Sequence, residues 1–320
     1  MKNMKRQRLL VQIAKLYYEE GYGQEKISQI LDLSRPYVSK LLNAAREEGI
    51  VRIQVIDPLN VESALEQEFR ERFGLLKAII VPRDNEVDSL THVAEAGVRY
   101  LDSILEDGSV IATSWGRTLH ACSRVLTARP DLRDLVSAQI CGGVSDVSHT
   151  VYASDIAKNF SRNLGTSAYT LTAPAVVGSR EVGDLLKNDL TVARVFHYTN
   201  EAKIALFTAG AFGMGSALYR AGFLNEKEMH QLEKRGAVGD VCSHVINING
   251  EICDNELDER TIALPLDVLK KKEFRICVGE GFGKVDSMIG ALRGGLVNVL
   301  VTNEETAERM LERLDSLSVR

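Results

Sequence analysis

Apolar residues in the first 50 positions repeat with helical spacing in three stretches that are separated by turn residues. The first stretch predicts a helix over residues 9–17, which the glycines of residues 21–23 terminate. A second, shorter helix is predicted from Gln24, and residues 32–34 form a tight turn after it. The third helix is predicted over residues 35–48. Two short helices joined by a three-residue turn are typical of a helix-turn-helix.

The third helix has the composition of a DNA recognition helix. Ser34 is a good N-cap residue, and Pro36 lies in the first turn, where its missing N–H costs little. Polar side chains off the apolar face of this helix can donate to phosphates or base edges in the major groove. Gln24, at the start of the preceding helix, is predicted to contact a phosphate. The predicted DNA-binding residues are Gln24, Ser34, Arg35, Tyr37, Ser39 and Lys40.

Residues 50–57 alternate apolar and polar side chains, as a half-buried strand does. Such a strand would form a wing behind the recognition helix, so residues 1–57 are predicted to be a winged helix-turn-helix DNA-binding domain. A linker helix is predicted within residues 58–75, because apolar residues recur there every four positions. Its apolar stripe could be a dimer seam or could pack on the body of the protein, residues 76–320.

The body alternates short apolar runs with helical patterns, which predicts a Rossmann-like α/β domain with a parallel sheet covered on both faces. The predicted strands are residues 77–81, 110–113, 135–141, 167–171, 204–208, 274–279 and 297–302. The predicted helices include residues 87–105, 117–126, 284–293 and 304–314. In such sheets, ligands bind beyond the carboxyl ends of the strands.

Three loops follow predicted strands at the edge where that rule places a ligand: residues 114–118, 142–145 and 279–284. The first and third each open a helix and carry a cation, Arg117 and Lys284, so both suit an anion. A turn that needs glycine only for its geometry is an equally good explanation of any one loop. The third loop has neither P-loop nor dinucleotide spacing, so no nucleotide cofactor is expected.

Charge is unevenly distributed along the chain. Residues 1–56 hold ten Lys/Arg and six Asp/Glu, while the whole chain has a net charge of −5, which leaves +4 for this segment and −9 for the rest. Phosphate binding needs cations, so this asymmetry fits a DNA-binding head on a body that does not bind DNA.

Composition excludes several other classes of protein. The five cysteines are widely spaced without a C-x-x-C, which argues against a disulfide framework or a zinc site. No apolar run approaches the roughly 20 residues that span a bilayer, and no secretory signal is evident. We therefore expect a cytoplasmic protein without a metal.

Nearly the whole chain resembles the SorC-type family of sugar-sensing transcription regulators. The resemblance is strongest in residues 14–55, in "SWGRT" (114–118), in "AVGDVCS" (237–243) and in "GEGFGKVDSMIGALRGGLVNVLVTNEETA" (279–307). It implies an effector domain similar to sugar-phosphate isomerases, a phosphorylated sugar as effector, and a homodimer or homotetramer on double-stranded operator DNA. In the family, the "SWGRT"-like loop and the late lysine hold the phosphate, and the acidic residue of "VGD" contacts sugar hydroxyls.

The expected effector site follows from these loops and this resemblance. The predicted phosphate-binding residues are Ser114, Gly116, Arg117, Thr118 and Lys284. The predicted sugar-binding residues are Cys141, Gly142, Gly143, Asp240 and Glu280. For Asp240, the alternative is a helix or turn cap.

One position departs from the family in a way that matters chemically. In a deoxyribonucleoside-responsive member, the strand before the Gly-Gly pair ends in a lysine that forms a Schiff base with the sugar aldehyde. Here that position is Cys141. A thiol cannot form an imine, so we expect Cys141 to be an apolar wall and the effector to bind without a covalent bond. Glu280 replaces a small residue and could accept from a hydroxyl or repel a second phosphate.

The sequence therefore predicts a transcription regulator, most often a repressor in this family, and not an enzyme. Two other functions stay open. One is a sugar-phosphate isomerase or lyase with an appended helix-turn-helix, which needs a base next to the substrate carbon. The candidate bases are Asp146, His149, Asp240, Glu280 and Asp286. The other is an architectural DNA-binding protein without an effector.

Overall fold

The computed structural model describes residues 2–48, 50–51, 62–83, 88–143 and 150–318. The chain divides into two compact units, residues 1–61 and residues 62–320. The boundaries predicted at residues 57 and 75 stay predictions. The predicted wing falls mostly outside the described residues, apart from Ile50 and Val51, which lie in no strand.

The N-terminal unit contains the predicted three helices. They are α1 (Lys2–Ala14), α2 (Gln24–Leu31) and α3 (Arg35–Glu47). A π-helical turn, Lys15–Glu19, extends α1. Ser34 caps α3 by accepting the backbone N–H of Tyr37 at 3.4 Å. The three helices enclose one apolar core, in which Leu10, Ile13 and Val38 are fully buried, so the helical spacing of apolar residues marks the buried face correctly.

The second unit is an α/β domain, as predicted. Its strands are β1 (Lys77–Val81), β2 (Val110–Thr113), β3 (Val136–Gln139), β4 (Ser167–Tyr169), β5 (Ile204–Phe207), β6 (Ala209–Ala211), β7 (Ala237–Val241), β8 (His244–Asn247), β9 (Phe274–Val278) and β10 (Val299–Asn303). Its helices are α4 (Ala64–Phe73), α5 (Ser89–Ile104), α6 (Arg117–Val125), α7 (Thr150–Asn159), α8 (Arg180–Lys187), α9 (Leu190–Glu201), α10 (Ala217–Arg220), α11 (Glu226–Lys234), α12 (Asn255–Glu259), α13 (Leu266–Leu269), α14 (Val285–Arg293) and α15 (Glu304–Ser318).

The main sheet is parallel throughout, in the order β1-β10-β9-β5-β2-β3-β4. Separate apolar clusters pack on it, as expected of a sheet covered on both faces. The strands β9, β5 and β2 are neighbours, so the loops that follow them meet at one edge. This order brings residues 114–118 and 279–284 to the same place.

A second, antiparallel sheet has the order β6-β7-β8, and the sequence did not predict it. The strands β7 and β8 form a hairpin whose two-residue turn is Cys242 and Ser243, with φ of 52° and 73°. A two-residue turn with both residues at positive φ matches the right-handed twist of the strands.

The linker helix packs on the body, which resolves the alternative left open by its sequence. The helix α4 begins at a capping box between Ser63 and Glu66 and contacts β1. Phe69, in the middle of the apolar stripe, is completely buried in the core of the second unit together with Leu75. The apolar stripe of α4 therefore packs against the core of the second unit.

Candidate functional site

A cavity of about 360 Å³ lies beyond the carboxyl ends of the parallel strands, within the size range of about 300–1,000 Å³ for small-molecule sites. One side is formed by loops of the main sheet and the other by the small sheet and α10. The lining residues are Ser114, Trp115, Gly116, Arg117, Thr118, Cys141, Thr208, Gly210, Ala211, Gly215, Ser216, Ala217, Arg220, Asp240, Cys242, Ser243 and Lys284.

Lys284 is a half-buried cation held by neutral groups. Its Nζ donates to Thr118 Oγ1 at 2.9 Å and to Thr208 Oγ1 at 2.7 Å. Among the described residues, no carboxylate pairs with this amine. Burial lowers the pKa of Lys284, and the nearby Arg117 lowers it further. An ammonium ion with a desolvation cost and no counter-ion is suited to receive an anionic ligand.

Arg117 lies beside Lys284 at the start of α6. The preceding Gly116 has φ of 120°, a conformation that favours glycine, so the loop turns sharply into the helix. Backbone N–H groups in the first turn of α6 have no partners inside the helix, and they favour a negative charge. Ser114 adds a buried hydroxyl without a hydrogen-bond partner in the described structure. These donors and the two cations together suit an anionic ligand.

Asp240 lies on β7 and is held in place by the hairpin turn. Its Oδ2 accepts the backbone N–H of Ser243 at 3.0 Å. Burial raises the pKa of Asp240, while the Ser243 N–H and the charge of Lys284 oppose that rise. The carboxyl group has no other polar partner among the described residues, so it can meet hydroxyl groups of a ligand. The contact with Ser243 is also the turn cap that the sequence offered as an alternative, and one carboxyl group can do both.

Gly210 has no side chain, and the Asp240 carboxyl group occupies the space that a side chain at this position would fill. A Cβ at position 210 would lie 2.1 Å from Asp240 Oδ1. Gly210→Ala is therefore expected to displace this carboxyl group and to weaken sugar-phosphate binding by about tenfold, the loss of roughly one hydrogen bond to a charged group. Titration calorimetry measures this loss of affinity. Gly178→Ala is the control, because a Cβ at position 178 meets nothing within 4 Å. Equal affinity of the two variants would contradict a ligand contact for Asp240.

Cys141 is buried at the wall of the cavity. Burial raises the pKa of its thiol to about 12, although hydrogen bonds with Ser243 and Trp115 oppose that rise. The thiol is therefore protonated at neutral pH, and nucleophilic capture of an aldehyde needs the thiolate. This environment supports the expectation that Cys141 acts as an apolar wall.

The Gly142-Gly143 pair stands behind the wall rather than in the cavity lining. The backbone oxygen of Gly142 accepts from the Trp115 indole Nε1 at 2.7 Å. A Cβ at position 142 would lie 2.3 Å from the carbonyl oxygen of Pro174, so only glycine fits there. Residues 144 and 145 of this loop lie outside the described residues.

The structure brings together most of the predicted effector residues. Those in the cavity lining are Ser114, Gly116, Arg117, Thr118, Cys141, Asp240 and Lys284. Gly142, Gly143 and Glu280 are not in the lining, although the charge of Glu280 raises the pKa of Lys284. Lining residues that the sequence did not single out include Thr208, Ser216, Arg220, Cys242 and Ser243. Cys242 and Ser243 belong to the "AVGDVCS" motif, so the family resemblance included them, but it assigned a role to Asp240 alone.

The cavity offers few groups for isomerase chemistry. Asp286 faces away, because it forms an ion pair with Arg313 whose Nε lies 2.8 Å from Asp286 Oδ1. Asp146 and His149 lie outside the described residues. Among the described candidates, Asp240 alone lines the cavity. The described residues also hold no group of His, Cys, Asp or Glu side chains arranged to bind a metal.

The predicted DNA-binding side chains are all exposed or partly exposed to solvent. The side chain of Arg35 is 68% exposed, and its Nε lies 3.9 Å from Glu25 Oε2. Tyr37 is 45% exposed, although it is a large aromatic residue. Lys40 and Ser34 are exposed, while Ser39 and Gln24 are partly exposed. An exposed cation and an exposed aromatic ring near the N-terminal end of α3 suit contact with the major groove.

A family model described as "Putative sugar-binding domain" matches residues 57–312. The deoxyribonucleoside regulator of Bacillus subtilis is 33% identical over 97% of this chain and 99% of its own length. The sorbitol operon regulator of Klebsiella pneumoniae is 30% identical over 98% of this chain and 100% of its own length. This chain belongs to the SorC family of sugar-responsive, DNA-binding transcription regulators.

Solved structures of the SorC family agree with the fold. The crystal structure of full-length SorC from Klebsiella pneumoniae matches with a TM-score of 0.71 and 29% identity, covering 95% of this chain and 98% of that one. The predicted fold class is confirmed. The relatives are named as transcription regulators, so the prediction of a regulator rather than an isomerase is also confirmed. Within the described residues, the structure contains no helix with the length and apolarity to cross a bilayer.

Proposed function

We propose that this SorC-family regulator binds operator DNA through its helix-turn-helix and that a phosphorylated sugar in the cavity of the second unit changes its affinity for that DNA. The observation that carries the proposal is Lys284, a half-buried cation whose hydrogen-bond partners among the described residues are two threonine hydroxyls. A neutral sugar would leave this charge unpaired, whereas a phosphate would pair with it and with Arg117.

The proposed mechanism is linkage between two binding sites. The effector binds one arrangement of the regulator better than another, so it changes the affinity for DNA by the difference in binding free energy. Couplings of this kind are about 1–3 kcal/mol, or about 5- to 150-fold. Release from DNA on effector binding would make the protein a repressor, and the relatives named as sorbitol operon and deoxyribonucleoside regulators support the control of a sugar or nucleoside operon.

We further propose a homodimer or homotetramer that acts in the cytoplasm. Helix-turn-helix proteins read two half-sites about one helical turn apart, which requires two copies of the recognition helix. The proposed cytoplasmic location follows from the operator DNA that the protein would bind.

A thermal-shift panel tests the effector class. At a concentration about 100-fold above Kd, a ligand stabilises the folded state by about 2.7 kcal/mol. We expect a sugar phosphate to raise Tm by about 5–10 °C. The same sugar without its phosphate is expected to leave Tm unchanged. Equal shifts from both forms, or no shift from any pentose or hexose phosphate, would contradict the proposal.

The lowered pKa of Lys284 predicts how effector affinity depends on pH. The anion binds the protonated amine, so affinity falls as pH rises through the pKa of Lys284 in the empty cavity. Because burial lowers that pKa, the fall is expected to begin well below the ordinary lysine value of about 10.4. Lys284→Arg is expected to remove the fall in affinity, since a guanidinium, with a pKa above about 12, stays charged over this whole pH range. Calorimetry between pH 7 and pH 10 measures the effector affinity of the natural chain and of the Lys284→Arg variant. If the two affinities changed with pH in the same way, the proposed role of Lys284 would be contradicted.

A further inference from the structure

His244 is a buried histidine next to the effector cavity. It opens β8, directly after the turn residues Cys242 and Ser243, which line the cavity. Its side chain is 4% exposed. The ring atom Nδ1 lies 2.5 Å from Oδ1 of Asp258 on α12, and Nε2 lies 3.0 Å from the backbone oxygen of Leu264. The imidazole therefore joins the β7–β8 hairpin to two segments outside the small sheet.

Both neighbours of the ring are hydrogen-bond acceptors. A carboxylate and a backbone carbonyl carry lone pairs but no proton to donate. Each ring nitrogen of His244 must then donate its own proton, and an imidazole with two N–H groups is a positively charged imidazolium. Asp258 is the counter-ion, and its side chain is 32% exposed, so water reaches the carboxylate while the ring stays buried. The pair satisfies both the charge and the hydrogen-bonding groups of His244.

Leu264 connects His244 to the cavity wall that carries Cys141. The backbone N–H of Leu264 donates to the backbone oxygen of Ile140 at 2.9 Å, and its own oxygen accepts from His244. The preceding residue, Ala263, pairs with Cys141 in an antiparallel bridge. The backbone around Leu264 therefore links two walls of the cavity, the strand end at Cys141 and the hairpin of His244.

The same hairpin carries Asp240, the carboxyl group in the cavity lining. Its Oδ2 accepts the backbone N–H of Ser243 at 3.0 Å, so its position depends on the turn that His244 follows. Burial raises the pKa of Asp240, and the charge of His244 is one of the effects that oppose this rise. An ionised carboxylate accepts from hydroxyl groups more strongly than a neutral acid does. His244 thus acts on Asp240 through both geometry and charge.

We propose that His244 is a positioning residue for effector binding: its imidazolium ties the Asp240 hairpin to the wall at Cys141 and holds the two walls at the separation that fits the sugar. This inference rests on the proposed function of the same cavity. Arg117 and Lys284 belong to loops of the main sheet that the contacts of His244 do not include. His244 therefore serves the sugar part of the effector rather than its phosphate.

Calorimetry on the full chain with two classes of probe tests this role. Inorganic phosphate can occupy the place of the effector phosphate but brings no sugar. The second class is ribose 5-phosphate, fructose 6-phosphate and glucose 6-phosphate, of which the tightest binder is used. His244→Leu is expected to weaken binding of that sugar phosphate about tenfold, as the loss of roughly one hydrogen bond to a charged group gives, and to leave the Kd of inorganic phosphate unchanged.

Two further variants separate the contact from the charge. His230→Leu removes an exposed histidine that is paired with Glu233 on α11, so it is the matched control and should leave both Kd values unchanged. Asp258→Asn removes the counter-ion but keeps the contacts of the ring, because an amide N–H can donate to Nδ1 while Nε2–H still donates to Leu264. Asp258→Asn is expected to retain most of the affinity for the sugar phosphate.

NMR of the histidine ring nitrogens in the isotope-labelled chain reads the charge of the ring, which a merely structural role would not fix. The resonances that are absent from the His244→Leu variant are those of His244. We expect two protonated ring nitrogens in the natural chain and one in Asp258→Asn. A neutral His244 ring in the natural chain would overturn the imidazolium.

The outcomes separate this inference from the proposed function. If His244→Leu kept its affinity for the sugar phosphate, or weakened both probes equally, the positioning role would be overturned and the sugar-phosphate effector would stand. If His244→Leu did not fold, His244→Gln takes its place, because it keeps one N–H donor for Leu264, and an intermediate loss restricted to the sugar phosphate is expected. If the natural chain bound neither probe, both proposals would fail.

Discussion

Replacing Lys284 by methionine is expected to abolish the response to sugar phosphate while operator binding is retained. Methionine keeps much of the aliphatic volume but removes the charge that the phosphate needs. The loss of a charged hydrogen-bonding partner in a buried site corresponds to about 3 kcal/mol, or about 100-fold in Kd. Anisotropy of labelled operator DNA, titrated with the effector, measures the loss of response.

The stability of this variant distinguishes a lost contact from a damaged fold. Because burial lowers the pKa of Lys284, the charged amine is unfavourable in the empty cavity. Removing it is therefore not expected to lower the Tm of the ligand-free protein. Lys227→Met, on the exposed surface of α11, is the matched control and should respond to the effector like the natural chain. A Lys284→Met variant that still responds would contradict the phosphate site.

Arg35→Ala is expected to weaken specific operator binding by about 1–3 kcal/mol and to leave effector binding unchanged. The side chain is exposed at the N-terminal end of α3, where it can reach phosphates or the base edges of guanine. Anisotropy at fixed salt, with operator and scrambled DNA, measures both affinity and specificity.

A second cation of the same unit serves as the control for charge alone. Arg8 is exposed on α1, so Arg8→Ala removes the same charge without touching the recognition helix. Arg8→Ala is expected to weaken binding to operator DNA and to scrambled DNA to the same small extent. If the two variants lost specific binding equally, Arg35 would contribute only to the general electrostatic attraction.

Strands with continuous apolar runs could be predicted from the sequence almost to the residue. The limits predicted for β1 and β2 agree with the structure: β1 ends before Pro82, and β2 lies between Ser109 and Ser114. The strand β3 was predicted to reach residue 141 but ends at Gln139. Cys141 leaves the parallel ladder and pairs with Ala263 in an antiparallel bridge. That pairing joins residues far apart in the sequence, and local patterning does not reveal it.

The small sheet was missed because its strands lack an apolar pattern. The strand β6 is Ala-Gly-Ala, and β7 contains Gly239 and Asp240. These small residues are set by close packing, since a Cβ at position 239 would lie 2.1 Å from the carbonyl oxygen of Gly210. Arg220 was missed for a related reason: α10 has four residues, too few to show a helical period. Asp240 was found only through the family motif.

The most direct test of a sugar-phosphate-responsive operator-binding protein is fluorescence anisotropy on its own promoter DNA, at fixed salt, with a panel of sugar phosphates and the corresponding free sugars. We predict specific binding whose Kd changes about 5- to 150-fold with one sugar phosphate and does not change with the free sugar. Salt-sensitive binding without sequence preference, and without a response to any sugar phosphate, would contradict the account.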